Sequence, residues 1–311
     1  MGVILAGAPS GSVDATPIIG QTPPVQVSAS SPAVDTPPRA RRRLPNGHLL
    51  TAAVLLGLLG LMAVAPGLFT DSDPRDCDLS RSLVPPSWGA HPFGYDLLGC
   101  DYAAQTIYGT RTSMILAVVV VLGAGAVALV LGTVAGFAGG ALDAVISRIT
   151  DVWSGIPLIL GGIVLLSGSL DRGLPQVIVV LVAFSWPPMV RVMRASTQQV
   201  KELDYVMSAR ALGAGPLRLL RRHIVPNAVR PLVVFASAYA GVLISAEAIL
   251  TFAGVGLQRP TQSWGILLYQ AQDRLIQAPH LLIFPGVFLV AAVLGFVLLG
   301  EGLQRRSPLR D

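Results

Sequence analysis

The sequence is poor in charged residues and has almost no lysine. Only 13% of its 311 residues are Asp, Glu, Lys or Arg, about half the share found in a soluble globular domain. In contrast, 52% are hydrophobic and the mean hydropathy is +0.65, which predicts a chain that lies in lipid. Lys201 is the single lysine, and the residues before it do not fit the phosphate-binding GxxxxGK[ST] loop. A process driven by nucleotide would therefore need a nucleotide-binding site on another chain.

Catalytic and metal-binding patterns are also missing from the apolar segments. They contain no HExxH, GxSxG or paired aspartates, which argues against an intramembrane enzyme, and we expect no metal site and no cofactor in this chain. A stand-alone secondary transporter would need internal repeats and intramembrane ion sites. No inverted repeat is visible, and Glu247 is the one carboxylate within a span. Such a charge is often functional; the alternative is a protonated or hydrogen-bonded acid that serves helix packing.

Long apolar segments dominate the rest of the chain. Six of them approach the roughly 20 residues that a helix needs to cross a bilayer: Leu49–Phe69, Met114–Phe137, Val152–Ser167, Gln176–Val190, Pro231–Phe252 and Leu281–Gly300. Because backbone groups in lipid must bond internally, these runs predict helices. The third and fourth are short, and Pro187 and Pro188 predict a kink or a helix end shielded by neighbouring helices.

The predicted fold is an all-α membrane protein with six transmembrane helices. Residues 1–47 are rich in Pro, Ser and Ala and predict a disordered tail, followed by a first helix at 48–70, a helical core at 113–303 and a short tail at 304–311. Arginine and lysine set the orientation. Sixteen of them flank one side of the spans and six the other. This bias places both termini and the 191–230 loop in the cytoplasm, and it accounts for the net charge of +5.

The loop at 71–112 holds both cysteines of the chain, Cys77 and Cys100. It lies outside the membrane in the predicted topology, where thiols oxidise and disulfides persist. A bond between them would stabilise a small extracytoplasmic loop domain by about 3 kcal/mol through loop closure. We expect this disulfide; the alternative is two unpaired thiols.

The cytoplasmic loop at 191–230 carries eight basic residues and only two acidic ones. Part of this surplus is the usual bias of cytoplasmic loops, but apolar residues recur at helical spacing on either side of a Gly-Ala-Gly-Pro break at 213–216. This pattern predicts two short helices, the second starting at Pro216. Their apolar face needs a cover, and a partner protein is favoured over lipid because the element is bent.

Other residues bear on helix packing. Gly132 and Gly136 have the GxxxG spacing of close helix contacts, either within the chain or against a partner chain. Asp143 and Asp151 are expected to be solvated boundary charges. Trp264, like the tryptophan at 88, is expected to lie at the membrane interface.

Four stretches of the sequence match one known family in order and topology. They are His91-Pro92-Phe93-Gly94 with Asp96, Gly99, Asp101 and Arg111; Trp186, Arg191 and Arg194; the run from Tyr205 to Gly213 with His223-Ile224-Val225-Pro226-Asn227; and Glu247, Phe252, Gly254, Gly256, Pro260 and Ser263-Trp264-Gly265. The third stretch resembles the EAA loop of bacterial ABC-importer permeases. The whole of residues 49 to 303 resembles the peptide/nickel group, in its dipeptide and oligopeptide "C" subunits.

The resemblance implies a type I importer permease in the bacterial inner membrane. It implies pairing with a second permease, with two cytoplasmic ATPases that hold ATP and Mg²⁺, and with an extracytoplasmic binding protein that delivers short peptides; nickel chelates or haem are alternative solutes, and no nucleic acid is expected. The EAA loop would form a helix that docks on the ATPase. The implied coupling residues are Tyr205, Met207, Ser208, Ala209, Arg210, Ala211, Leu212, Gly213, His223 and Pro226. Met207 and Ser208 replace the family's glutamate and first alanine, which puts a charge contact there in doubt.

Overall fold

The computed structural model describes residues 47–89, 91–168 and 172–306. The predicted tail before residue 47 and the last five residues lie outside this range. The described residues form helices α1 Gly47–Val64, α2 Tyr102–Ala138, α3 Gly140–Ser154, α4 Leu158–Ser167, α5 Leu174–Lys201, α6 Asp204–Ala211, α7 Pro216–Leu219, α8 Val225–Phe252, α9 Trp264–Ala271 and α10 His280–Arg306. A π-helical turn, Leu220–Ile224, joins α7 to α8.

Five of these helices are long and apolar enough to cross a membrane, and α3 with α4 makes a sixth crossing if the pair spans as one unit. The predicted all-α class is confirmed. The third predicted span is wrong in its start, because residues 152–154 belong to α3, which meets α4 at 74°. Pro157 precedes the first residue of α4, and a proline disfavours helical geometry at the residue before it. The break therefore falls inside the apolar run.

Helix α5 continues through both of its prolines. Pro187 has no N–H, so the carbonyl of Ala183, four residues earlier, loses its helical donor. The indole Nε1 of Trp153 donates to that carbonyl at 2.6 Å, and the Trp153 ring lies against Phe184 and Trp186. The expected shielding by a neighbouring helix is therefore present, whereas the alternative of a helix end is wrong.

Gly132 and Gly136 of α2 pack against another helix of the same chain. A Cβ on Gly132 would come within 2.7 Å of the Met193 Cβ, and one on Gly136 within 2.7 Å of the Arg194 carbonyl oxygen. The GxxxG spacing thus lets the α2 and α5 backbones touch. Lys201 strengthens the same contact, because its Nζ donates to the Gly136 carbonyl at 3.0 Å.

The bundle has two distinct ends. At the loop end, which we define by residues 202–224, the end of α5 meets the start of α8. At the opposite, disulfide end, defined by residues 65–101, the Tyr102 hydroxyl donates to the Leu281 carbonyl at 2.5 Å and the Phe93 ring stacks on Phe284 at 3.9 Å. The start of α2 is thereby fixed to α10.

Candidate functional site

The segment 202–224 projects as two short helices joined by a tight turn. Helix α6 begins at Asp204, where a carboxylate suits the positive end of the helix dipole, and α7 begins at Pro216. Between them, Gly213 has φ +85°. The N–H groups of Gly213 and Ala214 bond to the carbonyls of Arg210 and Ala209, which closes the end of α6 as helix C-caps do. The predicted pair of helices and its glycine break are found.

Most of the ten predicted coupling residues point away from the protein. Ala209 and His223 are half-buried, and the other eight are exposed: Tyr205, Met207, Ser208, Arg210, Ala211, Leu212, Gly213 and Pro226. Leu212 is 88% exposed, an unusual state for a leucine at the tip of a turn unless something covers it. The segment thus presents a continuous free surface.

Buried side chains hold the same segment against the helical core. Val206, Leu219 and Ile224 are buried and share one apolar cluster with Met193 of α5. The Asn227 side-chain amide adds a polar tie, since it donates both to the His223 carbonyl at 2.8 Å and to the Tyr205 hydroxyl at 3.1 Å. His223 therefore takes part through its backbone carbonyl. These contacts hold the exposed residues of the segment in a fixed position.

Three arginines lie beside the exposed side chain of Leu217. Arg218, Arg221 and Arg222 line, with Leu217, an open hollow of about 650 Å³ beside the glycine turn. Within the part of the chain that the structure describes, none of these three guanidinium groups pairs with a carboxylate. Guanidinium groups that have no carboxylate partner and lie beside an exposed leucine favour an acidic partner surface.

At the disulfide end, Cys77 and Cys100 form the predicted disulfide. Cys100 is buried, and its N–H donates to the buried Asp96 carboxylate at 2.8 Å. The cross-link therefore ties an exposed loop to a fixed point of the fold. Asp78 remains a charged group on that loop, because hydrogen bonds from Ser80 hold the pKa of its carboxyl below the usual value.

Two glycines make this compact loop possible. Gly94 and Gly99 both have φ +73°, a region that side chains rarely adopt. A Cβ on Gly99 would overlap the Asp78 carbonyl, and one on Gly94 would come within 2.5 Å of the Val84 carbonyl oxygen. Helix α2 starts directly after the loop, and the Asp101 carboxylate caps it by accepting from the N–H groups of the next turn.

Glu247 is buried where α8 meets α9. Its Oε1 accepts from the Thr251 hydroxyl at 2.9 Å and from the Ser263 hydroxyl at 3.2 Å, while Oε2 has no hydrogen-bond partner among the described residues. A Cβ on Gly265 would lie 2.9 Å from Oε1, so glycine leaves room for the carboxylate. These contacts match the packing alternative for Glu247, and a functional role stays a prediction.

The tryptophans differ from the expectation. Trp264 is fully buried, and its indole N–H donates to the Thr106 carbonyl at 3.1 Å, so the prediction of an interfacial position is wrong. The reason is that α9 folds back between α2 and α10 and does not lie on the surface of the bundle. Trp88 is fully exposed.

The prediction of a solvated Asp143 is also wrong. Its carboxylate accepts two hydrogen bonds from Arg194, at 2.5 and 2.6 Å, across the gap between α3 and α5. The spacing of Arg191, Arg194 and Lys201 along one face of α5 was a possible signal for a polar contact there, but nothing in the sequence pointed to α3 as its target. Asp151 is half exposed and pairs with Arg191 at 3.2 Å.

A known protein family matches more than half of this chain. Residues 128–308 match the family described as "Binding-protein-dependent transport system inner membrane component", and they include α3 to α10 with the whole loop end. The chain belongs to this family. The permease thus carries its exposed two-helix segment in the middle of the region that matches the family.

Curated relatives match over most of the permease. The glutathione transport system permease protein GsiD of Pectobacterium atrosepticum is 37% identical and covers 85% of this chain and 87% of its own length. The dipeptide transport system permease protein DppC of Bacillus subtilis is 32% identical, covering 89% and 87%. The oligopeptide transport system permease protein OppC of the same organism is also 32% identical, covering 83% and 84%.

Solved structures confirm the fold of the permease. The inward-facing MetNI methionine ABC transporter aligns with a TM-score of 0.57 over 66% of this chain and 97% of that chain, at 19% identity. An amino acid ABC transporter aligns with a TM-score of 0.51 over 66% and 95%. The predicted type I importer permease fold is therefore correct.

Proposed function

We propose that this chain is the permease subunit of an ATP-driven importer of short peptides and forms half of its translocation pathway. In this proposal the segment 202–224 is the coupling loop that receives the motion of a cytoplasmic ATPase. The observation that carries the proposal is the contrast within that segment: Leu212 is almost fully exposed, whereas Val206, six residues earlier, is fully buried in the helical core. An exposed apolar residue can bind a partner protein, and the buried residues of the same segment can pass a movement of that partner to the transmembrane helices.

The proposed substrate class is supported by the relatives. These relatives are named as permease proteins of glutathione, dipeptide and oligopeptide transport systems, and glutathione is itself a tripeptide. The shared chemistry is a short chain with peptide amides and terminal charges. Another solute carried by the same architecture is the alternative, and the uptake experiment below decides between them.

The docking chemistry follows from the exposed side chains. Leu212 and Leu217 are exposed apolar side chains, and the three arginines at 218, 221 and 222 line a hollow together with Leu217. Met207 and Ser208 contribute no charge where the family carries glutamate, so the contact relies on apolar burial and on these arginines. The groove on the ATPase should accordingly have an apolar floor and acidic residues at its edge.

The proposed assembly contains a second permease, two ATPase subunits that bind ATP and Mg²⁺, and an extracytoplasmic binding protein. This chain is then a transport subunit and not itself an enzyme. Its multi-pass topology has both termini and the coupling loop in the cytoplasm. The packing supports one shared side for the start of α1, the start of α8 and the end of α10: Gly300, near the end of α10, packs on Ala238 and Val234 in the first half of α8, and Glu301 pairs with His48 at the start of α1.

Reconstitution tests the proposal. The permease should co-purify with its ATPase subunits, and proteoliposomes of the complex should take up a labelled di- or tripeptide only with ATP and the binding protein. Changing Arg218, Arg221 and Arg222 to Glu should abolish ATPase co-purification. Arg75→Glu, an exposed arginine at the disulfide end, is the matched control and should leave it intact. Peptide uptake by the isolated chain without ATP would contradict the proposal.

A further inference from the structure

Helix α3, which is 15 residues long, is held to the bundle by few buried side chains. Thr150 is its single buried residue among those described. Four of its apolar side chains face outward, since Leu142, Val145, Ile149 and Val152 are 48% to 68% exposed, while Ile146 and Trp153 supply its apolar contacts. Polar side chains therefore contribute much of what fixes its position against the neighbouring helix α5.

The strongest of these contacts joins Asp143 to Arg194. The Arg194 Nε and Nη2 atoms each donate to one carboxylate oxygen, at 2.5 and 2.6 Å, in the forked geometry that makes such pairs strong and directional. The Asp143 side chain is only 14% exposed. Gln198 and Ser147 also approach the carboxylate, at 3.4 Å each. Asp143 is thus surrounded by donors from α5 and from its own helix.

The contact lies on a polar face of α5 that has further partners. Arg191 donates to Asp151 at 3.2 Å and to Ser154 at 2.8 Å, and Lys201 donates to the end of α2. The Arg191–Asp151 pair is more than half exposed on both sides, so solvent screens it and it contributes little. The half-buried Arg194 pair is the one expected to govern where α3 lies.

The other face of α5 carries the coupling loop. Met193 and Val200 share an apolar cluster with Val206, Leu219 and Ile224, and α5 ends at Lys201, just before α6 begins at 204. A displacement of the loop therefore acts directly on the last turns of α5. Since packed elements move as units and do not deform continuously, those turns will displace whatever is locked to them.

We propose that the Asp143–Arg194 ion pair is a positioning contact that makes α3 follow α5, so that movement of the coupling loop reaches the bend between α3 and α4. Asp143 and Arg194 act through helix position and touch neither substrate nor nucleotide. At the far end of α3, the Trp153 indole N–H donates to the Ala183 carbonyl that Pro187 leaves without a helical donor on α5, so α3 is attached to α5 near both of its ends. The proposal rests on the role of segment 202–224 as the coupling loop.

A double-mutant cycle in the reconstituted complex tests the inference. Asp143→Asn and Arg194→Gln should each leave ATPase co-purification intact and lower the ratio of peptide transported to ATP hydrolysed by about fivefold or more, the lower range of measured couplings between sites. Because both changes break one contact, the double variant should resemble either single variant. Asp151→Asn, which breaks the exposed pair, is the matched control and should keep the wild-type ratio.

The outcomes separate this inference from the proposed function. A wild-type complex that shows no ATP-dependent uptake refutes the proposed function itself. Normal coupling in the wild type together with a normal ratio in Asp143→Asn overturns the positioning role, as do single effects that multiply in the double variant. If asparagine prevents assembly, Arg194→Lys replaces it, because lysine keeps the charge and loses the fork. An intermediate ratio then supports the inference, and an unchanged ratio refutes it.

Discussion

Replacing Gly213 should uncouple ATP hydrolysis from transport without unfolding the permease. Gly213 lies in the left-handed region at φ +85°, yet a Cβ built on it meets no atom within 4 Å. The penalty of a side chain is therefore one of backbone conformation alone. That penalty is roughly 1–2 kcal/mol for an ordinary residue, which corresponds to a shift of about 5- to 30-fold in the population of the bent loop.

Gly215 supplies the matched control two residues away. It is equally exposed and equally free of neighbouring atoms, but its φ is −66° and its ψ 159°, a conformation that any residue adopts before a proline. We expect Gly215→Val to behave as wild type. At position 213 the loss of coupling between ATP hydrolysis and transport should be smallest for Asn, which tolerates left-handed geometry. It should be larger for Ala and largest for Val.

The measurement is the ratio of peptide uptake to ATP hydrolysis in proteoliposomes, with thermal unfolding of each purified variant recorded alongside. Gly213→Val should lower the ratio and leave the unfolding temperature close to that of the wild type, because the loop end is anchored by Val206 and not by the turn. Equal ratios for Gly213→Val and Gly215→Val would refute the conformational explanation.

Further predictions concern the disulfide end and α9. Reduction of the Cys77–Cys100 disulfide should destabilise the permease by about 3 kcal/mol and lower its unfolding temperature; a Cys77→Ser, Cys100→Ser double variant should start lower and not respond to reductant, whereas a reductant-insensitive wild type would contradict the structure. Gly265→Ala should cost about 1–3 kcal/mol, because the new Cβ crowds the Glu247 carboxylate. Gly125→Ala, in open space on α2, should be neutral in the same thermal unfolding assay.

Local signals in the sequence located the five long helices and the loop end, whereas α3 and α9 were not predicted. A glycine followed closely by a proline, as at Gly213 and Pro216, encodes a break in the backbone itself, and the break is where the residues place it. The start of α4 was missed because hydropathy runs unbroken from Val152 to Ser167, so that composition masked the turn that Pro157 imposes.

Contacts between parts of the chain that are distant in sequence could not be predicted from the sequence. Asp143 and Arg194 are 51 residues apart, and only the packing of α3 on α5 brings them together. The same holds for Trp264, which a rule about membrane interfaces placed at the surface: the rule treats each tryptophan by its distance from a span end, whereas α9 returns into the bundle and buries it. In both cases helix arrangement, which one sequence does not specify, decides the environment.

The length of α2 has a consequence for how the permease stands in its bilayer. Its 37 residues extend about 55 Å at 1.5 Å each, well beyond a hydrocarbon layer of roughly 30 Å. The first turns, with Gln105, Thr106 and Thr110, are enclosed by protein and not by lipid. The disulfide end is thus held at a distance from the other end of α2 that a continuous helix sets, and this distance should stay nearly constant when lipids of different thickness surround the spans.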